Sequence, residues 1–216
     1  MTRIKLAAAK ADGDAMKLEH RPLANDWVWL EPLEARHKAD LSEAIGDPMD
    51  TLKFSPSPQL YHEGLNAMID WQIEQSRAGR WLPYAVIANG RAVGQTSFIN
   101  PREYDCGVEI GGTWYARAVR GGPVNPSCKL LLMSHAFESG AERVELKTDS
   151  ENAHSRAAIL KLGASFEGIH RHHMRRPWGG WRDTAWYSVL REEWPAVKEK
   201  LEARLAEIAT SKAPPL

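Results

Sequence analysis

Apolar and polar positions change rhythm several times along this chain, and each change marks an element. Residues 27–33 read as a first strand. Residues 37–45 and 60–78 follow the helical period. In the second, Leu65, Met68, Ile69 and Ile73 share one face, and Gly79 stands where a helix ends. Residues 81–88 and 91–98 flank Asn89-Gly90, a two-residue hairpin signal, and residues 107–115 give the next strand. Asn125 is a good N-cap and Pro126 a good first helical residue, so a helix is predicted from there to Gly140. Residues 143–148 alternate as a strand with Val144 and Leu146 inward, and residues 152–162 form a helix closed by Gly163. Residues 166–174 and 182–189 are strands around the turn at 177–180, and Trp194, Val197, Leu201, Leu205 and Ile208 stripe a last amphipathic helix.

The order β-α-α-β-β-β-α-β-α-β-β-α predicts an α/β (α+β) fold with about seven strands in one mixed sheet, helices on both faces. Residues 1–25 are expected to be a flexible lead-in, with Met16 as an alternative functional start, and residues 26–210 a single domain. The chain has 216 residues, with 28 Lys plus Arg balanced by 28 Asp plus Glu, so charge points to neither nucleic acid nor a membrane surface. Its two cysteines, Cys106 and Cys128, form no disulfide framework or metal-spaced cluster, and no metal is expected. No apolar run approaches the roughly 18 residues of a membrane span. A cytoplasmic protein is the expectation.

Chemistry enters at residues 120–125, Arg-Gly-Gly-Pro-Val-Asn, where a turn leads into a helix N-terminus. Unpaired N–H groups and the helix dipole make such a place an anion site, Gly121 and Gly122 allow close approach, and Arg120 adds charge. A pyrophosphate-bearing cofactor fits it; so does an ordinary surface turn. Neither a Walker loop nor a GxGxxG fingerprint is present.

Together with residues 108–114 (Val-Glu-Ile-Gly-Gly-Thr-Trp), residues 152–164 (opening Asn-Ala-His-Ser) and residues 181–188, this segment resembles the GNAT superfamily of N-acetyltransferases, in its RimJ/RimL-type branch. The resemblance implies a mostly antiparallel sheet with two splayed central strands, and acetyl-CoA as co-substrate. It implies that Arg120, Gly121, Gly122, Val124 and Asn125 hold the coenzyme A pyrophosphate through backbone amides. Trp114 and Tyr115 would pair with the pantetheine arm, and Asn152 and Ser155 approach the pantetheine and the sulfur. Three positions depart from the pattern. Pro123 stands for the usual glycine and removes a donor. Ile159 stands where many members carry a tyrosine acid, and Gly112 replaces a bulkier residue, which could widen the acceptor pocket.

The implied function is transfer of an acetyl group to a primary amine, a protein N-terminus or a small molecule, by direct attack in a ternary complex. The alternative is a non-catalytic acyl-CoA-binding module of the same fold. Glu109, between Val108 and Ile110, is the candidate base or else a structural carboxylate. Ser155 is the candidate donor to the leaving thiolate or else a first-turn helix serine. The cysteines, without a nearby His/Asp arrangement in sequence, are expected to be inert. Residues 170–182 are a basic, aromatic hairpin that either borders the acceptor site, attracting an acidic substrate or protein tail, or faces solvent, the reading preferred here. His172 and His173, adjacent on a strand, make a poor metal pair. A homodimer is one option for the oligomeric state.

Overall fold

The computed structural model describes residues 15–212. Eight strands form one sheet: β1 (Leu23–Ala24), β2 (Trp29–Pro32), β3 (Trp81–Ala88), β4 (Arg91–Arg102), β5 (Gly107–Tyr115), β6 (Arg143–Asp149), β7 (Ser165–Arg175) and β8 (Trp181–Leu190). Their order is β1-β2-β3-β4-β5-β6-β8-β7. Every neighbouring pair is antiparallel except β5 with β6. That one parallel pair requires a crossover, which α5 (Val124–Glu138) supplies.

Two cores form because the central strands bury both faces. On one face α5, α6 (Ala153–Leu162) and α7 (Trp194–Lys212) cover Val108, Ile110, Val144, Leu146, Ala185 and Tyr187. On the other, α1 (Lys38–Ala44), α3 (Pro58–Glu63) and α4 (Leu65–Arg77) pack Leu41, Leu60, Met68 and Ile69 against Ala85, Ala92 and Trp114. A one-turn helix, α2 (Pro48–Thr51), links α1 to α3. The second core stops at β5. Beyond it the sheet's face carries the alternate residues of β6 and β8, Glu145, Lys147, Thr184 and Trp186, none of which belongs to the second core.

Several local expectations are met and several corrected. Asn89 and Gly90 both have positive φ (51° and 75°), as a tight hairpin turn between twisted strands demands. The helix expected over 60–78 is broken at Gly64, whose backbone (φ 89°, ψ −178°) is not helical, giving α3 and α4. The strand count rises by one through β1, which pairs with β2 inside the expected lead-in. From Met16 onward that lead-in is packed. Met16 is buried, and the Met16 and Lys17 amides donate to the carbonyls of Glu103 and Ser139. The remainder of the lead-in, residues 1–14, lies outside the described residues. The helix placed at Asn125-Pro126 begins at Val124, with Pro123 in the N-cap position. Pro123 at φ −75°, ψ −17° is already helical, so it starts the turn before the asparagine can cap it.

Candidate functional site

β5 and β6 pair only through Gly107↔Arg143, Val108↔Val144 and Glu109↔Glu145. Above that point β5 stays with β4 and β6 stays with β8, so the two strands diverge and leave a gap. A bulge drives the divergence. Between Gln95↔Trp114 and Ser97↔Gly111, β5 spends two residues against one on β4, and Gly112 takes φ 59°. A Cβ at Gly112 would lie 3.1 Å from the Trp81 ring and 3.3 Å from Ser97 Oγ. The space expected to widen an acceptor pocket there is therefore already filled, and the glycine serves the bulge.

Side chains of this strand brace the fold. Trp114 Nε1 donates to Gln95 Oε1 (2.8 Å), and Gln95 donates to Gln72. Tyr115 Oη donates to Asn125 Oδ1 (3.2 Å), tying the end of β5 to the first turn of α5. Under the bulge Lys129 of α5 is buried and donates to Thr113 Oγ1 (3.1 Å), which in turn bonds Thr96. Burial pulls the Lys129 ammonium down to about 8.

At the gap's edge the turn at 120–125 presents main-chain donors. Among the described residues, the N–H groups of Gly121, Gly122, Val124 and Asn125 have no acceptor, and the first helical bond, from Ser127 to Pro123 O, lies beyond them. Gly121 has φ 77° with open space where a Cβ would be, and Gly122 meets only Val119 O at 3.6 Å. A cradle of free amides at a helix N-terminus suits a diphosphate, so the residues present fit coenzyme A. Arg120 is turned the other way. Its Nε donates to Tyr115 O (2.8 Å) and its Nη2 to Thr51 Oγ1 (3.2 Å), so it holds the turn rather than reaching into it.

On the far side of the gap, Asn152 caps α6 by accepting from Ser155 N (3.0 Å). Among the described residues the Ser155 hydroxyl has no hydrogen-bond partner. Ile159 is buried in the first core.

Glu109 sits at the fork, the last residue of β5 still paired with β6, and is 4% exposed. Burial pushes its carboxyl above the usual range, while Lys147, donating to Oε2 at 2.7 Å, pulls the other way. The Lys147 ammonium also stands 5.0 Å over the Trp186 ring. Around Trp186 lie His170 and His173, with ring centroids at 5.2 and 5.6 Å. These two share a face because β7 bulges between His170 and Met174, with His172 at φ 50°. The basic hairpin thus places His170 and His173 beside Trp186 and Lys147, and its tip meets α3 where Trp178 lies 4.9 Å from Tyr61.

Sequence reasoning missed Lys147 as the partner of Glu109, Trp186 as the ring under Lys147, and Arg182 as a nearby charge. Reading Val144 and Leu146 as inward left Lys147 on the other face, and the only available signal was that alternation, 147 beside 186 across the pair. Both cysteines are buried, and burial lifts the Cys128 thiol to about 12, as expected of an inert group. Among the described residues no His, Cys, Asp and Glu group could hold a metal ion. No helix among them is long and apolar enough to cross a membrane.

Comparison with known proteins agrees with this geometry. Residues 28–165 match the acetyltransferase (GNAT) domain family. No curated protein sequence matches the chain significantly. Among solved structures, a GCN5-related N-acetyltransferase from Brucella melitensis is 29% identical with a TM-score of 0.80, covering 89% of each chain. A candidate acetyltransferase from T. thermophilus is 33% identical (TM-score 0.74), covering 86% of this chain and 97% of its own. Mycobacterium smegmatis RimJ, solved with CoA-disulfide, is 25% identical (TM-score 0.71), covering 85% and 92%. With a forked sheet, a free-amide cradle and these relatives, the chain belongs to the GNAT family, has RimJ-like kin, and is an acetyltransferase.

Proposed function

We propose that this enzyme transfers the acetyl group of acetyl-CoA to a primary amine, on a protein N-terminus or a small molecule, by direct attack in a ternary complex. The observation that carries the reading is the position of Glu109, a buried carboxylate at the point where β5 and β6 part. Acetyl-CoA supplies the activated acyl carbon when bound, and the remaining demands fall on this chain.

An incoming ammonium, with an ordinary pKa near ~10, must first lose a proton. Glu109 accepts it, directly or through a water, and its raised pKa suits that task. Lys147 keeps the carboxylate oriented. Backbone N–H groups of β5 near Trp114 and Tyr115, free of β6, serve the oxyanion that develops as the C–N bond forms. As the C–S bond breaks, the nitrogen releases its second proton to solvent and Ser155 Oγ donates a hydrogen bond to the thiolate. The amides of Gly121, Gly122, Val124 and Asn125 hold the pyrophosphate, and Asn152 fixes the turn beside the pantetheine.

Thiol release from acetyl-CoA across a panel of amines, run beside calorimetric titration with acetyl-CoA, tests this. Release is expected with at least one primary amine and with no tertiary amine. Tight acetyl-CoA binding with no release on any amine would sink the reading.

A further inference from the structure

Arg182 lies on β8 two positions from Thr184 and four from Trp186, so it shares the cleft face with both. It is 5% exposed, yet among the described residues no carboxylate lies within ion-pair distance of it. Its one side-chain hydrogen bond among them is long, Nη1 to Phe54 O at 3.4 Å, and its Nε is buried with no partner. The two nearby carboxylates pair with other cations. Asp149 Oδ1 accepts from Arg176 (3.2 Å) and from the Glu151 amide, its Oδ2 being buried without a hydrogen-bond partner, and Glu109 is held by Lys147. Both carboxylates are still close enough to favour the charged form of Arg182, against the larger effect of its burial.

A guanidinium taken from water without a partner is costly, and proteins ordinarily pair it. Here the pairing is left undone on a sheet face whose other groups are Lys147, Trp186 and two histidines. Resting on the proposed function, we infer that Arg182 is a specificity residue that receives a carboxylate carried by the amine acceptor. The fork geometry of arginine suits a planar carboxylate. Glu109 and Asp149 nearby favour a single negative charge over a dianionic phosphate. Trp186, with its Nε1 also buried and unpartnered, would flank the acceptor between its amine at Glu109 and its carboxylate at Arg182.

The test pairs acceptors that differ only in that charge. One arm sets L-amino acids against their primary amides; the other sets peptides with Asp or Glu beside a free N-terminus against their Asn or Gln forms. Each pair is measured by thiol release, and by calorimetry on the CoA-saturated protein. Wild type is expected to favour the carboxylate form by about 10- to 100-fold in kcat/KM and in affinity, in at least one arm. The arm that responds says whether the acceptor is an amino acid or an acidic protein terminus. Arg182→Gln should abolish the preference, leave acetyl-CoA affinity unchanged and raise the melting temperature, whereas loss of a merely structural arginine would lower it. Should that variant fail to fold, Arg182→Lys should keep part of the preference. Equal use of both forms by wild type overturns the inference while leaving the acetyltransferase reading intact. A carboxylate preference in binding with no thiol release does the reverse.

Discussion

The two halves of the cleft are built from different materials. The proposed donor half, the turn at 120–125 and the parted strands, would work through main-chain amides, while its side chains mostly brace the fold: Arg120 on Tyr115 O, Tyr115 on Asn125, Trp114 on Gln95. In the proposed acceptor half the candidates are side chains drawn from four strands: Glu109, Lys147, Trp186, His170, His173 and Arg182. A main-chain site depends on backbone shape and tolerates many side-chain changes. A side-chain site is rewritten by single substitutions, which is where acceptor specificity can drift while donor use stays fixed.

That contrast can be broken at either end. The largest expected effect is at Glu109: Glu109→Gln should lower kcat by about 100- to 10,000-fold with acetyl-CoA affinity unchanged. In wild type, turnover should rise with pH through a carboxyl pKa above the usual value, because only the ionised form accepts a proton, and this acid limb should vanish in the variant. Equal pH profiles would remove Glu109 as base. In the donor half Gly121→Val, which forces a branched residue to φ 77°, should weaken acetyl-CoA binding by about 10-fold or more by moving the cradle. Calorimetry checks it; unchanged affinity would show that the amides do not bear the load. Beneath the same half, Lys129→Met should stabilise the fold by about 1–3 kcal/mol at pH 7, since Thr113 and Thr96 still satisfy each other. With its pKa depressed to about 8, the folded protein binds fewer protons than the unfolded chain between there and the ordinary lysine value. Wild-type stability should therefore gain from this group as pH rises through that window, and denaturant melts of wild type against Lys129→Met would reveal the difference. Ser155→Ala should cost about 3- to 10-fold in kcat, one hydrogen bond's worth, without changing the α6 cap made by Asn152. Smallest is Pro123→Gly, which restores one N–H and should tighten acetyl-CoA by about 2- to 5-fold while lowering stability by about 0.5–1 kcal/mol.

Legibility in the sequence followed the same division. The donor half was readable because glycine turns and helix starts and ends are local signals: Gly121-Gly122 lie in a turn, the helix expected from 152 begins one residue later, and Gly163 closes it at φ 108°. Its slips were at the start of α5, where Pro123 enters the helical region early, and at Arg120, whose guanidinium bonds Tyr115 O and Thr51 instead of facing the turn. In the proposed acceptor half the burial of Glu109 was readable from its apolar neighbours, but its partner was not. Lys147 reaches it across 38 residues of sequence, and only the sheet order shows that 109, 147 and 186 are neighbours. The bulges that fork β5 and that bring His170 and His173 together are likewise products of strand pairing. The helix break at Gly64 and the added β1 depend on tertiary packing in the same way.

One consequence of the fork reaches a position that touches no ligand. Gly94 of β4 lies against β5 so closely that a Cβ would fall 2.3 Å from Trp114 O and 2.9 Å from Tyr115 Cα. Both contacts are with main chain, which no rotamer change can relieve. The opening in the sheet is thus propped from the strand behind it, and a single added methyl group there should act as a wedge, pushing the end of β5 outward and closing the slot from the rear.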